Sequence, residues 1–242
     1  NEIKHKINSE IIIHCAVAHP FSRNSDYRDY VNSNINALNN VIEYSNKVKI
    51  KKFFYLSSVK IYGAIDQKVL KDKEIFIEPD MLCATKILSE KILSVQKFTY
   101  LNMRLPGVLC YNNSPPDRPW LNTVIQKLIN NEKVEVFNGQ SSFNNIVDTQ
   151  EIFSFIDFII KKKKVESASF NFSALSSIKL ERLIDYLKAS LNSKSKIVLN
   201  SKKTRHFTIS SDRVFKIYKY EIAPIKSIIN RYVQFLNDEP NE

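Results

Sequence analysis

The chain has 242 residues, is 43% hydrophobic and 25% charged, and carries a formal net charge of +11. These fractions are ordinary for a folded protein with a sizeable core, and no run approaches the roughly 20 consecutive apolar residues needed to span a bilayer. The lysine runs (Lys49, Lys51 and Lys52; Lys161 to Lys164; Lys202 and Lys203) are scattered and lack interleaved aromatic platforms, so neither a nucleic-acid nor a membrane partner is expected.

Along the chain, Ile11 to Ala16 reads as a short strand buried on both faces. Val31, Ile35, Leu38 and Ile42 give helical spacing from Asp26 to Asn46. A second strand, Phe53 to Leu56, ends in Ser57-Ser58. A helix follows over Asp80 to Ser94, with Met81, Ala84, Leu88 and Ile92 as its apolar stripe. Thr99 to Leu105 is the third strand, closed by Pro106-Gly107. Strands alternating with helices at this spacing predict an α/β fold with a parallel sheet flanked by helices. Right-handed crossovers then put the strand C-termini, at Ala16 to Ala18, Ser57-Ser58 and Pro106 to Cys110, along one crevice.

Beyond Cys110 the pattern is mixed. Trp120 to Asn130 reads as a helix, and Val134 to Phe137 and Asn145 to Val147 as strands. Asp148 is placed to cap a helix reaching Ile160. Phe170 to Phe172, a helix over Leu180 to Leu191, a strand over Lys196 to Leu199 and two closing helices complete this half. Cys15, Cys83 and Cys110 are odd in number and widely separated. They read as reduced thiols of a cytoplasmic protein, not as a disulfide framework or a metal site.

Three ordered patterns then stand out. The first is Ile13-His14-Cys15-Ala16-Val17-Ala18 with Asn34. The second is Phe54-Tyr55-Leu56-Ser57-Ser58, running on to Tyr62-Gly63. The third is Ala84-Thr85-Lys86 with Glu90, followed by Met103 to Val108. Together they resemble the NAD-dependent epimerase/dehydratase family, the extended short-chain dehydrogenase/reductases. Phe143 to Asp148 and Phe170 to Ser173 resemble that family's later segments.

The resemblance implies an NAD(P)-binding Rossmann-type domain over residues 1–110, lacking its first βα units. A smaller mixed α/β substrate region covers 111–242, with some segments returning to the sheet. It also implies an epimerase, dehydratase or reductase acting on a nucleotide-linked sugar, with NAD or NADP as cofactor and a homodimer as a possible assembly. In the family's terms Ser58 and Lys86 are the catalytic hydroxyl and ammonium. Cys15, Ala16, Val17, Asn34, Ser57, Lys86, Pro106 and Val108 are the cofactor-binding positions.

Two departures accompany the resemblance. Leu82 occupies the place of the family's acid/base tyrosine, four before Lys86, which implies the alternative of a catalytically impaired cofactor-binding or regulatory homologue. Adjacent Cys83 is rotated by about 100° around the helix, and Tyr62 is the other phenol near the motif. In addition, Gly63, Gly107 and Gly139 are the only glycines. The glycine-rich phosphate turn is therefore missing, and the expectation is an N-terminal truncation of about 50 to 70 residues, roughly two βα units. Ser141 stands where the family often carries a phosphate-binding arginine, and Arg118 is a second candidate for substrate phosphate. His14 reads as a satisfied core histidine.

Overall fold

The computed structural model describes residues 9–17, 26–73, 76–111, 120–202 and 204–238. In chain order the first half holds β1 (Ile11–His14), α1 (Tyr27–Tyr30), a π-helical turn (Val31–Asn36), α2 (Ala37–Val48) and β2 (Lys52–Ser58). A 3-10 turn (Val59–Tyr62), β3 (Val69–Leu70), α3 (Met81–Ser94), β4 (Thr99–Leu105) and β5 (Gly107–Leu109) follow. The second half holds α4 (Trp120–Ile129), β6 (Val134–Phe137), β7 (Ser142–Phe143), β8 (Ile146–Asp148), α5 (Thr149–Ile160) and β9 (Ala168–Asn171). It closes with β10 (Ile178–Lys179), α6 (Leu180–Ser190), β11 (Ile197–Asn200), β12 (Thr208–Ile209), α7 (Asp212–Tyr218) and α8 (Ile225–Asp238).

The central sheet has the order β1-β2-β4-β9, and every neighbouring pair is parallel. This is the expected α/β architecture, and β9 brings a later segment back beside β4. Alternation along β2 sorts its side chains between two layers. Phe53 and Tyr55 pack with Leu38, Ile42 and Leu93 of α2 and α3. Phe54 faces a larger core shared with Leu101, Met103, Phe155, Phe170, Ile184 and Ile228. Asp148 caps α5 by accepting from the Glu151 amide, and Arg231 of α8 locks that cap through both Asp148 and Glu151.

The expected elements are present with their ends shifted by a few residues, and the π turn interrupts the first long helix. The two-residue strands β3, β7, β10 and β12 have no sequence period long enough to announce them. A larger correction concerns α3. Of its expected apolar stripe, Met81 and Leu88 face outward at 45% and 49% exposed and Ala84 and Ile92 are partly buried, while Leu82, Thr85, Lys86, Ser89 and Glu90 are buried. The inward face is set by polar partners waiting on the sheet, which outweigh the lipophilicity of the other stripe. A helix read by hydrophobic period alone is therefore rotated by about a third of a turn here.

Candidate active site

The C-terminal edge of the sheet gathers the ends of β1, β2 and β4. Register pairs Ser58 with Leu105, so β2 and β4 end level, while His14 of β1 pairs with Tyr55, three residues before the end of β2. Beyond β1, Cys15, Ala16 and Val17 lie exposed at the rim. Pro106 and Val108, both partly buried, follow β4 where β5 pairs with β8. Ala18 and Arg118 lie outside the described residues.

Lys86 enters this edge from α3. It is 6% exposed, its Nζ donates to the Leu56 carbonyl at 2.8 Å, and the ammonium sits 5.1 Å from the centre of the Tyr55 ring. Tyr55 in turn stacks on His14, with ring centroids 5.8 Å apart. Burial pushes the Lys86 pKa down to about 8, against the opposing pull of Glu90. The same ammonium reaches the end of β1. The His14 pKa is lowered first by burial and then by Lys86, while burial raises the Cys15 thiol against the pull of Lys86. One carbonyl accepts from Lys86 among the described residues, which leaves two of its three N–H donors available.

Ser58 is partly buried and closes β2, two residues beyond the Leu56 carbonyl and about 7 Å further along the strand. Its Oγ accepts from the Lys60 amide at 3.2 Å, a long and weak cap of the 3-10 turn. Ser57 points to the opposite face, where its Oγ donates to Glu90 Oε1 at 2.6 Å. Asn34 is buried on the π turn and donates to Thr85 Oγ1 at 2.9 Å, which fixes that turn against α3 one residue before Lys86. π turns of this kind concentrate at functional sites because they re-aim one side chain.

The structure also examines the proton carriers. Leu82 is buried one turn before Lys86 and has no titratable atom. Burial and Asp80 push the Cys83 thiol up to about 12, so it is protonated at neutral pH. Tyr62 is 1% exposed; its hydroxyl donates to Asn171 Oδ1 at 2.9 Å and accepts from Arg104 Nη1 at 2.7 Å. Burial also pushes this phenol up to about 12. Tyr62 belongs to a structural network.

That network escaped the sequence reading. Glu90, four residues after Lys86, looks like its surface partner. It pairs instead with Arg104, which donates from Nε at 3.1 and 3.2 Å and from Nη2 at 2.7 Å. Ser57, Glu90, Arg104, Tyr62 and Asn171 form one buried chain, and the Asn171 amide continues it to Asp72. The available signal was Arg104 itself, the one charged residue in β4. Gly63 is required beside Tyr62: at φ +69°, a Cβ would stand 1.7 Å from the Ile77 carbonyl oxygen.

On the other side of the edge lies a cavity of about 320 Å³, lined among others by Trp120, Phe137, Ser141, Asn145, Arg205 and His206. Gly107 donates to the Asn145 carbonyl, which joins this cavity to the end of β4. The Asn145 Oδ1 is buried without a hydrogen-bond partner among the described residues.

Comparison with known proteins agrees with this geometry. The model of the NAD dependent epimerase/dehydratase family matches residues 1–172. No match was found among curated proteins. Among solved structures, the Bordetella bronchiseptica enzyme WbmG in complex with NAD and UDP is similar at TM-score 0.77 and 12% identity, covering 95% of this chain and 73% of that one. UDP-glucuronic acid 4-epimerase from Bacillus cereus, in complex with NAD, is similar at TM-score 0.75 and 14% identity, covering 94% and 74%. RMD from Pseudomonas aeruginosa, complexed with NADPH, is similar at TM-score 0.73 and 15% identity, covering 93% and 80%. The match of the family model over most of the chain, on a parallel sheet of this order, shows that the chain belongs to the NAD dependent epimerase/dehydratase family.

Proposed function

We propose that this chain carries the nicotinamide-ribose and substrate side of an enzyme that epimerises, dehydrates or reduces a nucleotide-linked sugar. The observation that carries the reading is Lys86. A buried ammonium is costly to desolvate and persists where it has a task. Here it is held at the strand-end edge with donors to spare.

The residues present fit one end of a dinucleotide. Lys86 supplies donors for ribose hydroxyls, the exposed backbone of Cys15, Ala16 and Val17 lines the same rim, and Asn34, through Thr85, holds α3 in place. Ser57, Pro106 and Val108 shape the floor. NAD or NADP, when bound, supplies reversible hydride transfer. The three glycines of this chain are far apart, so its own residues offer no glycine-rich phosphate turn. Ser58 orients a reacting sugar oxygen through its weakly engaged hydroxyl. The nucleotide end of the substrate is assigned to the cavity beside Asn145, where Arg205, exposed and 3.5 Å from Asp66, can turn to phosphate. Structures of similar fold are described with NAD and UDP or with NADPH, which supports this class of ligands.

Leu82 supports a second reading, a cofactor-binding homologue with impaired chemistry. A missing general acid/base typically costs about 10² to 10⁴ in rate. The exposed stripe of Met81 and Leu88 on α3 supports a homodimer, and the free thiols of Cys15, Cys83 and Cys110 support a cytoplasmic setting. No helix among the described residues is long and apolar enough to cross a membrane.

The test is titration of full-length protein with NAD and NADP, followed by a panel of nucleotide sugars, for wild type, Lys86→Met and Leu82→Tyr. Cofactor affinity is expected to fall at least about tenfold in Lys86→Met, the loss of a charge-assisted pair of hydrogen bonds. Unchanged affinity would overturn the reading. A large gain of turnover in Leu82→Tyr selects the impaired homologue, whereas wild-type turnover without gain selects an enzyme with another proton carrier.

A further inference from the structure

The lysine runs that look scattered in sequence converge in space. Parallel strands bring all their N-termini to one edge, opposite the crevice, and the loops that enter β2, β4 and β9 meet there. Three contacts knit them together. Asn46 Nδ2 donates to Gln96 Oε1 at 3.3 Å, the Thr99 amide donates to the Lys51 carbonyl at 3.1 Å, and the Tyr100 amide donates to Ser167 Oγ at 3.1 Å. Lys52, at the start of β2, also donates to the Lys162 carbonyl at 2.7 Å.

This edge displays Lys47, Lys49, Lys97, Lys163 and Lys164, all exposed. No carboxylate among the described residues pairs with any of them; Glu10 is taken by Lys51 and Asp157 by Lys161. Glu166 is the remaining exposed acid in these loops. A cavity of about 280 Å³ reaches these loops at Ser94 and Ser167, but no exposed aromatic lies in the stretches 46–51, 94–97 and 161–167.

We infer that this edge is a docking surface for an anionic lipid bilayer. Lysine ammoniums are compact point charges that attract phosphate without the fixed fork of arginine. Exposed on loop ends with no stacking ring among them, they match a flat field of headgroups better than a strand of bases. Docking by this end leaves the crevice at the opposite end open to solution. The inference departs from the expectation of no membrane partner and is independent of the activity proposed above.

The test is cosedimentation of the protein with phosphatidylcholine vesicles, with and without phosphatidylserine. Binding is expected only to the anionic vesicles and is expected to weaken as salt is raised. Reversing Lys49, Lys97, Lys163 and Lys164 to Glu together is expected to lower partitioning at least a hundredfold, about fivefold or more per lysine. The same reversals at the exposed Lys194, Lys196, Lys202 and Lys226 are expected to change it far less. Equal losses in the two sets would reduce the effect to net charge and overturn the inference. So would wild-type protein that ignores anionic vesicles at low salt, a result that needs no variant to fold, or binding to duplex DNA or RNA without binding to vesicles.

Discussion

Two lysines are buried against the same strand, one at each end, and their surroundings differ in one respect. Lys52 opens β2 and donates to the carbonyls of Ile159, Ile160 and Lys162 at 3.0, 2.9 and 2.7 Å. These lie at the C-terminal end of α5, where the helix dipole favours a cation. All three of its N–H groups are used. Lys86 reaches the other end of β2 and, among the described residues, uses one. The first ammonium is a structural cap with nothing left to give. The second is under-satisfied, destabilised as a cation and available to a ligand. Burial alone does not separate them; the number of acceptors does.

The largest expected effect lies outside both lysines and tests what seats α3, and therefore Lys86, on the sheet. The side chains of Arg104 and Glu90 are 8% and 7% exposed. Removing one partner of such a buried pair costs about 3–5 kcal/mol. Arg104→Leu is expected to lower the unfolding free energy in urea by that much, read as a lower midpoint with the slope of the transition unchanged. A loss below about 1 kcal/mol would return the seating of α3 to ordinary apolar packing. Next in size, Lys52→Met strands three carbonyls and is expected to destabilise by about 3 kcal/mol in the same measurement.

Lys86→Met carries the opposite sign. A shift from the ordinary lysine value of 10.5 to about 8 corresponds to about 3 kcal/mol of destabilisation below pH 8. The lost hydrogen bond to Leu56 returns part of it, so the variant is expected to be about 1–2 kcal/mol more stable at neutral pH. The pH dependence follows from the direction of the shift. Between about pH 8 and 10.5 the unfolded chain holds the proton that the folded chain has released. Wild-type stability therefore gains from Lys86 as pH rises through this window, and the advantage of Lys86→Met shrinks with it. Thermal melts of both proteins at pH 7, 9 and 10 check this, and a pH-independent gap would mean that Lys86 is solvated.

The fold was legible where period and punctuation agree. Thr99 to Leu105 followed by Pro106-Gly107, and Asp148 ahead of a helix, emerged as read because each signal is local. The alternation of elements pointed to a common strand-end edge, whereas the place of Lys86 came from the family resemblance, and its bond to the Leu56 carbonyl puts its ammonium two residues before the end of β2. What the sequence hid were choices made by tertiary partners. Glu90 has an equally good local partner in Lys86 and a better distant one in Arg104, and only the sheet decides. The outward turn of Met81 and Leu88 follows from that choice. The basic edge was hidden for a related reason: residues 49, 97 and 164 are far apart in sequence, and only parallel pairing brings the strands they precede to a common edge.

The smallest expected stability effect is at Ser58, and its smallness carries the argument. The hydroxyl closes β2, the strand that both buried ammoniums contact, but its described bond to the Lys60 amide is exposed and 3.2 Å long. A side chain placed for structure resembles Ser57, whose hydroxyl is buried 2.6 Å from a carboxylate. Ser58→Ala is therefore expected to cost no more than about 0.5 kcal/mol, at the weak end of capping losses, whereas Ser57→Ala is expected to cost about 1–2 kcal/mol because the carboxylate loses a charged hydrogen bond. If Ser58→Ala unfolds the protein as readily as Ser57→Ala, the hydroxyl is a structural cap and the crevice loses its orienting group. If it leaves the melt in place while lowering kcat more than it raises KM, the hydroxyl acts on the reacting sugar oxygen, beside an ammonium that the strand leaves two-thirds unspent.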